Sequence, residues 1–136
     1  MTTSSTSGST SRPVSSPALP APAGPYSPGV VAGNLVFVSG QAGRNPATGL
    51  LPDGVEAQTE QALRNIEAIL QAAGSGLPHV VRCGVFLVDI AEFPLMNGTY
   101  ARVFGTHRPA RTTVEVSDLP GAGLRVEIDA IAVIPA

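Results

Sequence analysis

Two helical patterns on either side of one apolar strand pattern constrain the fold of this chain more than any other feature of its sequence. Apolar residues recur at helical spacing over residues 53–74 and 89–105, whereas Val80 to Val88 is apolar on both faces. Each helical pattern opens on an acidic pair spaced as a capping box and closes at a glycine. The pairs are Asp53 with Glu56 and Asp89 with Glu92, and the glycines are Gly74 and Gly105.

Four further strands complete the predicted order. Val30 to Ser39, interrupted by the turn Gly33-Asn34, predicts two short strands joined as a hairpin. Residues 112–116 and 124–130 alternate apolar and polar side chains on either side of a turn, which predicts two more strands that pair with each other. The resulting order is ββαβαββ, an α+β fold with a mixed sheet and both helices on one face.

The face of this sheet that the helices leave free carries apolar residues. Val81, Val85 and Val133 are expected there, and they are too apolar for a fully wetted surface. We therefore expect other copies of the chain to cover this face.

Residues 1–22 differ in composition from the rest of the chain. They consist mainly of Ser, Thr and Pro, and their one charge is Arg12. Such a segment buries too little apolar surface to offset its loss of conformational entropy. We expect residues 1–22 to form a disordered tail and residues 23–136 to form a single domain. A Ser-rich transit peptide is the weaker alternative, because the segment has one arginine and no amphipathic period.

Composition excludes several chemistries. All eight basic residues are arginine, so an internal lysine Schiff base and a phosphate-binding loop ending in Gly-Lys are ruled out. The one cysteine, Cys83, excludes an internal disulfide and a multi-cysteine metal site, and its apolar strand favours an inert core thiol. His79 and His107 lack a metal-site spacing, so we expect no metal.

The charge and hydropathy patterns also bear on partners and location. The net charge of -2 and the pI near 5.5 speak against a nucleic-acid partner. No run approaches the roughly 20 apolar residues of a membrane span, and the N-terminus lacks the layout of a secretory signal. We therefore predict no membrane association and a cytoplasmic location.

Two charged residues in the last strands are candidates for chemistry. Arg111 begins a strand just after Pro109, and a guanidinium held at a strand end can bind a carboxylate in bidentate fashion. The alternative is a surface ion pair with Glu115 or Glu127. Glu127 lies in the middle of a strand, where it could position or deprotonate a water molecule, or simply belong to a solvated face.

Three other positions have two open interpretations each. Gly40, between Ser39 and Gln41, could let a ligand approach the backbone, or it could be a turn glycine. Tyr26 could supply a hydroxyl and an aromatic wall, or it could fix the first strand. The sequence does not decide whether His107 is a general base or an exposed loop residue.

A series of ordered short motifs spans residues 24–134, nearly all of the predicted domain. They are Gly24-Pro25-Tyr26-Ser27-Pro28-Gly29, Val38-Ser39-Gly40-Gln41, Asn45-Pro46-Ala47-Thr48-Gly49, Pro109-Ala110-Arg111-Thr112, Val114-Glu115-Val116, Leu119-Pro120 and Val126-Glu127-Ile128-Asp129-Ala130-Ile131-Ala132. Several motifs in the right order are a specific signal. In them the chain resembles the RidA/YjgF family of reactive-intermediate deaminases.

The resemblance implies a chorismate-mutase-like fold and a homotrimer with sites in the clefts between subunits. It implies hydrolysis of 2-imino acids and their enamine tautomers, such as 2-iminobutanoate and 2-iminopropanoate, to 2-oxo acids and ammonia, with no metal or cofactor. Arg111 would bind the substrate carboxylate, and Glu127 would orient the attacking water and assist proton transfer. The remaining implied positions are the backbone of Gly40 and Thr113 at the imine, Tyr26 from the neighbouring subunit, and Ser39, Gln41 and Asn97 as substrate-binding residues.

Three departures from the family pattern bear on substrate range. Thr113 stands where many members have cysteine, the segment from Tyr100 to Arg111 is shorter, and Arg108 replaces an aromatic residue before Pro109. The last two changes would reshape the pocket entrance. The alternatives to a general deaminase are a non-catalytic trimer that binds small carboxylates and a specialised imine-processing role in a biosynthetic pathway. A ribonuclease or translation inhibitor is a further alternative, against which the acidic pI and the lack of lysine speak.

Overall fold

A computed structural model of the chain describes residues 11–19 and 21–136. Its strands are β1 (Ser11–Val14), β2 (Gly29–Ala32), β3 (Leu35–Ala42), β4 (Val80–Leu87), β5 (Ala110–Glu115) and β6 (Val126–Val133). Its helices are α1 (Val55–Ala72) and α2 (Phe93–Phe104), with short 3-10 turns at Leu77–His79 and Ile90–Glu92. The described strands form one six-stranded sheet in the order β1-β2-β3-β6-β4-β5. The two helices pack against each other, and α1 covers β3 and β6.

The predicted order ββαβαββ is confirmed from β2 onward, and the sheet is mixed. β4 and β5 are parallel, because α2 connects them as a crossover, and the other neighbours are antiparallel. The expectation that the last two strands pair with each other is wrong. The chain crosses back over β4 after β5, and β6 lies between β3 and β4. β5 is therefore an edge strand.

β1 lies within the segment that was expected to be disordered. Ser11–Val14 pairs antiparallel with β2, and the side chain of Val14 is only 2% exposed. The expectation for residues 1–22 is therefore wrong for these four residues, while residues 1–10 lie outside the described part of the chain. Backbone hydrogen bonds to a free sheet edge, together with one buried valine, can hold a strand whatever the average composition around it.

The helices begin differently from the capping-box prediction. Gly54, with a φ of 88°, precedes α1, and no side chain caps that helix, so the predicted pair of Asp53 and Glu56 is wrong. Asp89 does accept the N–H of Ala91 at 3.0 Å, but it caps the 3-10 turn that precedes α2. Its predicted partner Glu92 instead forms an ion pair with Arg125, in the loop before β6. Both helices end next to the predicted glycines, which have positive φ angles.

The two faces of the sheet differ in burial. On the face under the helices, alternate residues of β3, β4 and β6 are fully or almost fully buried. The opposite face, which we call the open face, carries Val30, Phe37, Val81 and Val114, each at least 36% exposed. Val85 was expected there too, but it is completely buried under the helices. The reason is a register shift after Val80, which puts Val81 and Val85 on opposite sides of β4.

Neither helix is long and apolar enough to span a membrane, as far as the described residues extend.

Candidate functional site

The predicted site residues fall into two groups, one around Arg111 and one around Glu127, and these two charged side chains leave opposite faces of the sheet. Arg111 on β5 is the cross-strand partner of Cys83, which is buried under the helices. Glu127 on β6 is the partner of Phe86 and alternates with residues that are buried under the helices, so it faces the other way. Asn97 and Thr113 belong with Arg111, whereas Tyr26, Ser39, Gly40 and Gln41 belong with Glu127.

The guanidinium of Arg111 is held by side chains of α2. Its Nη2 donates to Asn97 Oδ1 at 2.7 Å, and its Nη1 lies 3.9 Å from the sulfur of Met96. The central carbon lies 4.7 Å from the ring centre of Tyr100 and 5.5 Å from that of Phe93. At these distances a cation is attracted to the face of an aromatic ring. The guanidinium is thus oriented before any ligand arrives.

Arg111 is partly buried, yet no acidic side chain in the described part of the chain pairs with it. The sequence left open a surface ion pair with Glu115 or Glu127, and neither contacts Arg111 in the structure. Other arginines do pair with acids, namely Arg64, Arg102 and Arg125. A fixed guanidinium without a counter-ion is suited to capture a carboxylate.

Arg111 opens onto a small cleft at the edge of the sheet. This Arg111 cleft has a volume of about 320 Å³ and is lined by Asn97, Tyr100, Ala101, Arg108, Pro109 and Arg111. Thr113 lies two residues further along the same face of β5, and its buried hydroxyl has no hydrogen-bond partner among the described residues. Cys83 is fully buried, as the sequence predicted, and burial raises the pKa of its thiol.

Glu127 lies in a second cleft, of about 530 Å³, which also contains Tyr26, Ser39, Gly40 and Gln41. This Glu127 cleft forms where β3 bulges, so that Ser39 and Gly40 together occupy the space opposite one residue of β6. A Cβ atom on Gly40 would overlap the carboxylate of Glu127. The glycine therefore makes room for this carboxylate, a role that the sequence did not suggest.

Two effects act on the protonation of Glu127. Partial burial raises the pKa of its carboxyl, and the negative charge of Asp129 raises it further. Asp129 is fixed on the same face, because its Oδ1 accepts the N–H of Gly84 at 2.8 Å. A side chain at position 84 would collide with this carboxylate. A carboxylate whose pKa is raised is a stronger base toward a water molecule than an ordinary glutamate.

The other predicted residues of the Glu127 cleft form and stabilise its lining. The Ser39 hydroxyl donates to the carbonyl of Ser27 at 2.7 Å, and Gln41 Nε2 donates to the carbonyl of Ser39 at 3.2 Å. The hydroxyl of Tyr26 accepts the N–H of Ala23 at 3.3 Å, and its side chain is 50% exposed. Ser39 and Gln41 thus support the bulge, while the ring of Tyr26 stays accessible.

Sequence reasoning missed the residues that orient the charged groups. Phe93 and Tyr100 belong to the apolar pattern that predicts a helix over residues 89–105, and no sequence signal shows that this face meets Arg111. Asn97 was expected to bind substrate, but its Oδ1 is bonded to Arg111. His107 was left open, and in the structure its Nε2 donates to the carbonyl of Val80 at 2.6 Å, which ties the loop after α2 to the sheet.

One chain does not bring Arg111 and Glu127 together. The two side chains leave opposite faces of the sheet and are separated by the width of β4. Tyr26 was expected to reach the site of both residues from a neighbouring subunit. In the structure it shares a cleft with Glu127 of its own chain, and Arg111 is the residue set apart.

Comparison with known proteins gives one consistent result. The family model described as Endoribonuclease L-PSP matches residues 16–134. A RutC family protein of Pyrococcus horikoshii is 48% identical over 114 residues, which are 83% of this chain and 90% of that protein. The 2-iminobutanoate/2-iminopropanoate deaminase of Capra hircus is 45% identical over 123 residues, 90% of this chain and 89% of the relative.

A solved structure shows the same fold. The crystal structure of RidA from the Antarctic bacterium Psychrobacter sp. PAMC 21119 superposes with a TM-score of 0.86 at 40% identity. The match covers 90% of this chain and 99% of that one.

Proposed function

Since the chain belongs to the RidA/YjgF family, we propose that it is a deaminase that hydrolyses 2-imino acids and their enamine tautomers. Water adds to the imine carbon, the C–N bond breaks, and a 2-oxo acid and ammonia leave, with no change of oxidation state. The imine carbon is already electrophilic, so the reaction requires positioning, a carboxylate clamp and proton transfer. The name of the goat relative supports the substrates 2-iminobutanoate and 2-iminopropanoate.

The observation that carries the proposal is the state of Arg111. Its guanidinium is oriented by Asn97 and two aromatic rings, and no acid of the described chain neutralises it. A 2-imino acid presents a carboxylate next to its reactive carbon. Two parallel hydrogen bonds from Arg111 to this carboxylate would fix the position of that carbon.

Glu127 supplies the proton transfers in this proposal. As a carboxylate it accepts a proton from the attacking water, and as a carboxylic acid it returns one to the departing nitrogen. Its raised pKa supports these roles, because burial and the charge of Asp129 make the carboxylate a stronger base than an exposed glutamate. Gly40 leaves the space in which this carboxylate stands, and its backbone, with that of Thr113, is proposed to contact the imine.

The proposal requires more than one copy of the chain. Because Arg111 and Glu127 leave opposite faces of the sheet, one substrate can meet both only where the Arg111 cleft of one copy adjoins the Glu127 cleft of another. The open face, with Phe37 at 42% exposure and Val114 at 39%, offers the apolar surface for such contact. We propose a closed homotrimer with three such sites, the simplest ring for a head-to-tail interface beyond a dimer.

The test is hydrolysis of imines generated in situ by an amino-acid oxidase, with semicarbazide trapping the imine that remains. The wild-type protein should lower semicarbazone formation. Arg111→Ala should lower kcat/KM, and Glu127→Gln should lower kcat, by about a hundredfold or more each. Arg102→Ala removes an arginine that pairs with Glu60 at 3.0 Å outside both clefts, and it should behave as wild type. If the wild type leaves trapping unchanged, or Arg111→Ala is as fast as wild type, the proposed activity is wrong.

In the first alternative the site has the same geometry but catalyses no reaction. The same fixed guanidinium would bind small 2-oxo or amino acids in a non-catalytic trimer. Calorimetric binding of 2-oxobutanoate by a protein that does not accelerate imine hydrolysis would favour this alternative.

The description of the family model suggests a ribonuclease as the second alternative. The net charge of -2 and the pairing of Arg64, Arg102 and Arg125 with acids speak against it. RNA cleavage by protein purified free of contaminating nucleases would favour this alternative if the cleavage is lost in Glu127→Gln.

A further inference from the structure

We propose that Arg108 makes this site selective for 2-imino acids that carry a second carboxylate, with Arg111 binding the carboxylate next to the imine and Arg108 binding the distal one. This inference rests on the proposed function and specifies its substrate class. A pocket for imines with short alkyl side chains needs one cation, whereas the Arg111 cleft is lined by two.

The position of Arg108 is fixed by the backbone around it. Its Nη1 donates to the carbonyl of Gly105 at 2.5 Å and to that of His107 at 2.9 Å. His107 is in turn tied to Val80 at the start of β4. The guanidinium is therefore held against the loop after α2, where Arg108 is exposed and lines the cleft.

Both arginines are available to a ligand. In the described chain no acidic side chain forms an ion pair with Arg108 or with Arg111. Nη1 of Arg108 is occupied by carbonyl groups, which leaves Nε and Nη2 as its donors for an anion. Tyr100 lines the same cleft, and the charges of both arginines act on its hydroxyl.

Two like charges on one small cleft repel each other, and a ligand with two anionic groups relieves that repulsion. An imine with one carboxylate leaves Arg108 unpaired. The imines of aspartate and glutamate, 2-iminosuccinate and 2-iminoglutarate, satisfy both guanidinium groups, so the chemistry of the cleft favours them.

The experiment compares imines made in situ by amino-acid oxidases from L-aspartate, L-glutamate and L-alanine. For the wild type, kcat/KM should be higher on the two dicarboxylic imines than on 2-iminopropanoate. Arg108→Gln, which keeps a side chain able to donate to the loop carbonyls, should lower the ratio of dicarboxylic to monocarboxylic kcat/KM by about fivefold to tenfold. Arg108→Lys should restore part of the ratio, because it keeps the charge.

A binding measurement gives a readout that does not depend on turnover. Calorimetry with 2-oxoglutarate and with pyruvate should show tighter binding of 2-oxoglutarate, and Arg108→Gln should remove most of that difference. Arg102→Ala is the matched control for the loss of one positive charge and should leave both ratios unchanged.

The possible failures are distinguishable. If 2-iminopropanoate is hydrolysed but the dicarboxylic imines are not preferred, or Arg108→Gln lowers activity on all three imines equally, the inference about Arg108 is wrong and the proposed function stands. If no imine is hydrolysed and neither 2-oxo acid binds, the proposed function itself is wrong.

Discussion

Asp129 contributes to the raised pKa of Glu127 from two residues further along β6. The two side chains lie on the same face, and the N–H of Gly84 holds Asp129 in place at 2.8 Å. Burial is the larger cause of the raised pKa of Glu127, and repulsion from Asp129 adds to it. Because the folded state raises this pKa, protonation of Glu127 stabilises the fold. That contribution is present below the pKa of the unfolded chain and is lost as pH rises through the folded value.

Asp129→Asn should shift the acid side of the pH–activity profile to lower pH. Activity falls as Glu127 takes up a proton, and without the neighbouring negative charge this happens at a lower pH. The asparagine Oδ1 can still accept the N–H of Gly84, so the geometry should persist. The measurement is kcat/KM for 2-iminobutanoate hydrolysis by the wild type and the variant between pH 4 and pH 8, at steps of roughly one pH unit.

Glu56→Gln also removes one negative charge, but at an exposed position of α1. It is the control and should not shift the pH–activity profile. An acid side that does not move in Asp129→Asn would show that Asp129 has no influence on the proposed catalytic carboxyl of Glu127.

For individual residues, the sequence predicted which charged side chains belong to a site but not which side chains surround them. The motifs around Arg111 and Glu127 singled both out. That Asn97 orients Arg111, or that Gly40 makes room for Glu127, depends on contacts between residues more than ten positions apart. Local patterns carry no information about such contacts.

The elements were predictable where their periodicity is local. α1, α2 and the alternating strands appear where the apolar pattern put them. The pairing of β5 with β6 was wrong because the neighbour of a strand is chosen by the whole sheet, and here the α2 crossover gives β5 the edge beside β4. β1 was missed because its one buried residue, Val14, lies within a segment of polar composition.

Gln58 joins three elements and was not singled out by the sequence. It is 2% exposed on α1, its Nε2 donates to the carbonyls of Pro52 and Gly123 at 3.0 Å, and its Oε1 accepts the N–H of Arg125 at 2.7 Å. It thus fixes the start of α1 to the loop before β6, the strand that carries Glu127.

Gln58→Leu should lower the free energy of unfolding by about 3 kcal/mol. Leucine has a similar size but leaves three backbone groups without their partner, and each unpaired buried group costs about 1 to 3 kcal/mol unless water reaches it. Urea unfolding at one fixed protein concentration measures the change. Gln71→Leu makes the same substitution on the exposed side of α1 and should change stability by less than about 0.5 kcal/mol. Equal effects of the two variants would contradict the role given to Gln58.

For the whole molecule, the separation of Arg111 from Glu127 by the sheet is the decisive feature. No pattern in a single sequence shows that a site is divided between copies, since the residues look the same whether their partners lie in the same chain or in the next. The apolar open face supports the proposal that copies associate, but it does not show which clefts they would bring together.

A mixture of two inactive variants should therefore regain activity. In a trimer formed at random from equal amounts of Arg111→Ala and Glu127→Gln chains, about one site in four joins an intact Arg111 to an intact Glu127. Co-refolded mixtures should thus show about a quarter of the wild-type rate. The control is a mixture of Arg111→Ala with Arg111→Lys, in which every site has the same half altered. A mixture no faster than its separate components would contradict the divided site.

The close approach of Gly40 and Glu127 has a consequence for how such a chain can change over generations. Any side chain at position 40 displaces the carboxylate at position 127, so position 40 must stay glycine as long as this carboxylate is kept in place. A lineage that acquires a side chain at position 40 therefore displaces this carboxylate, and loses with it the water chemistry proposed for it.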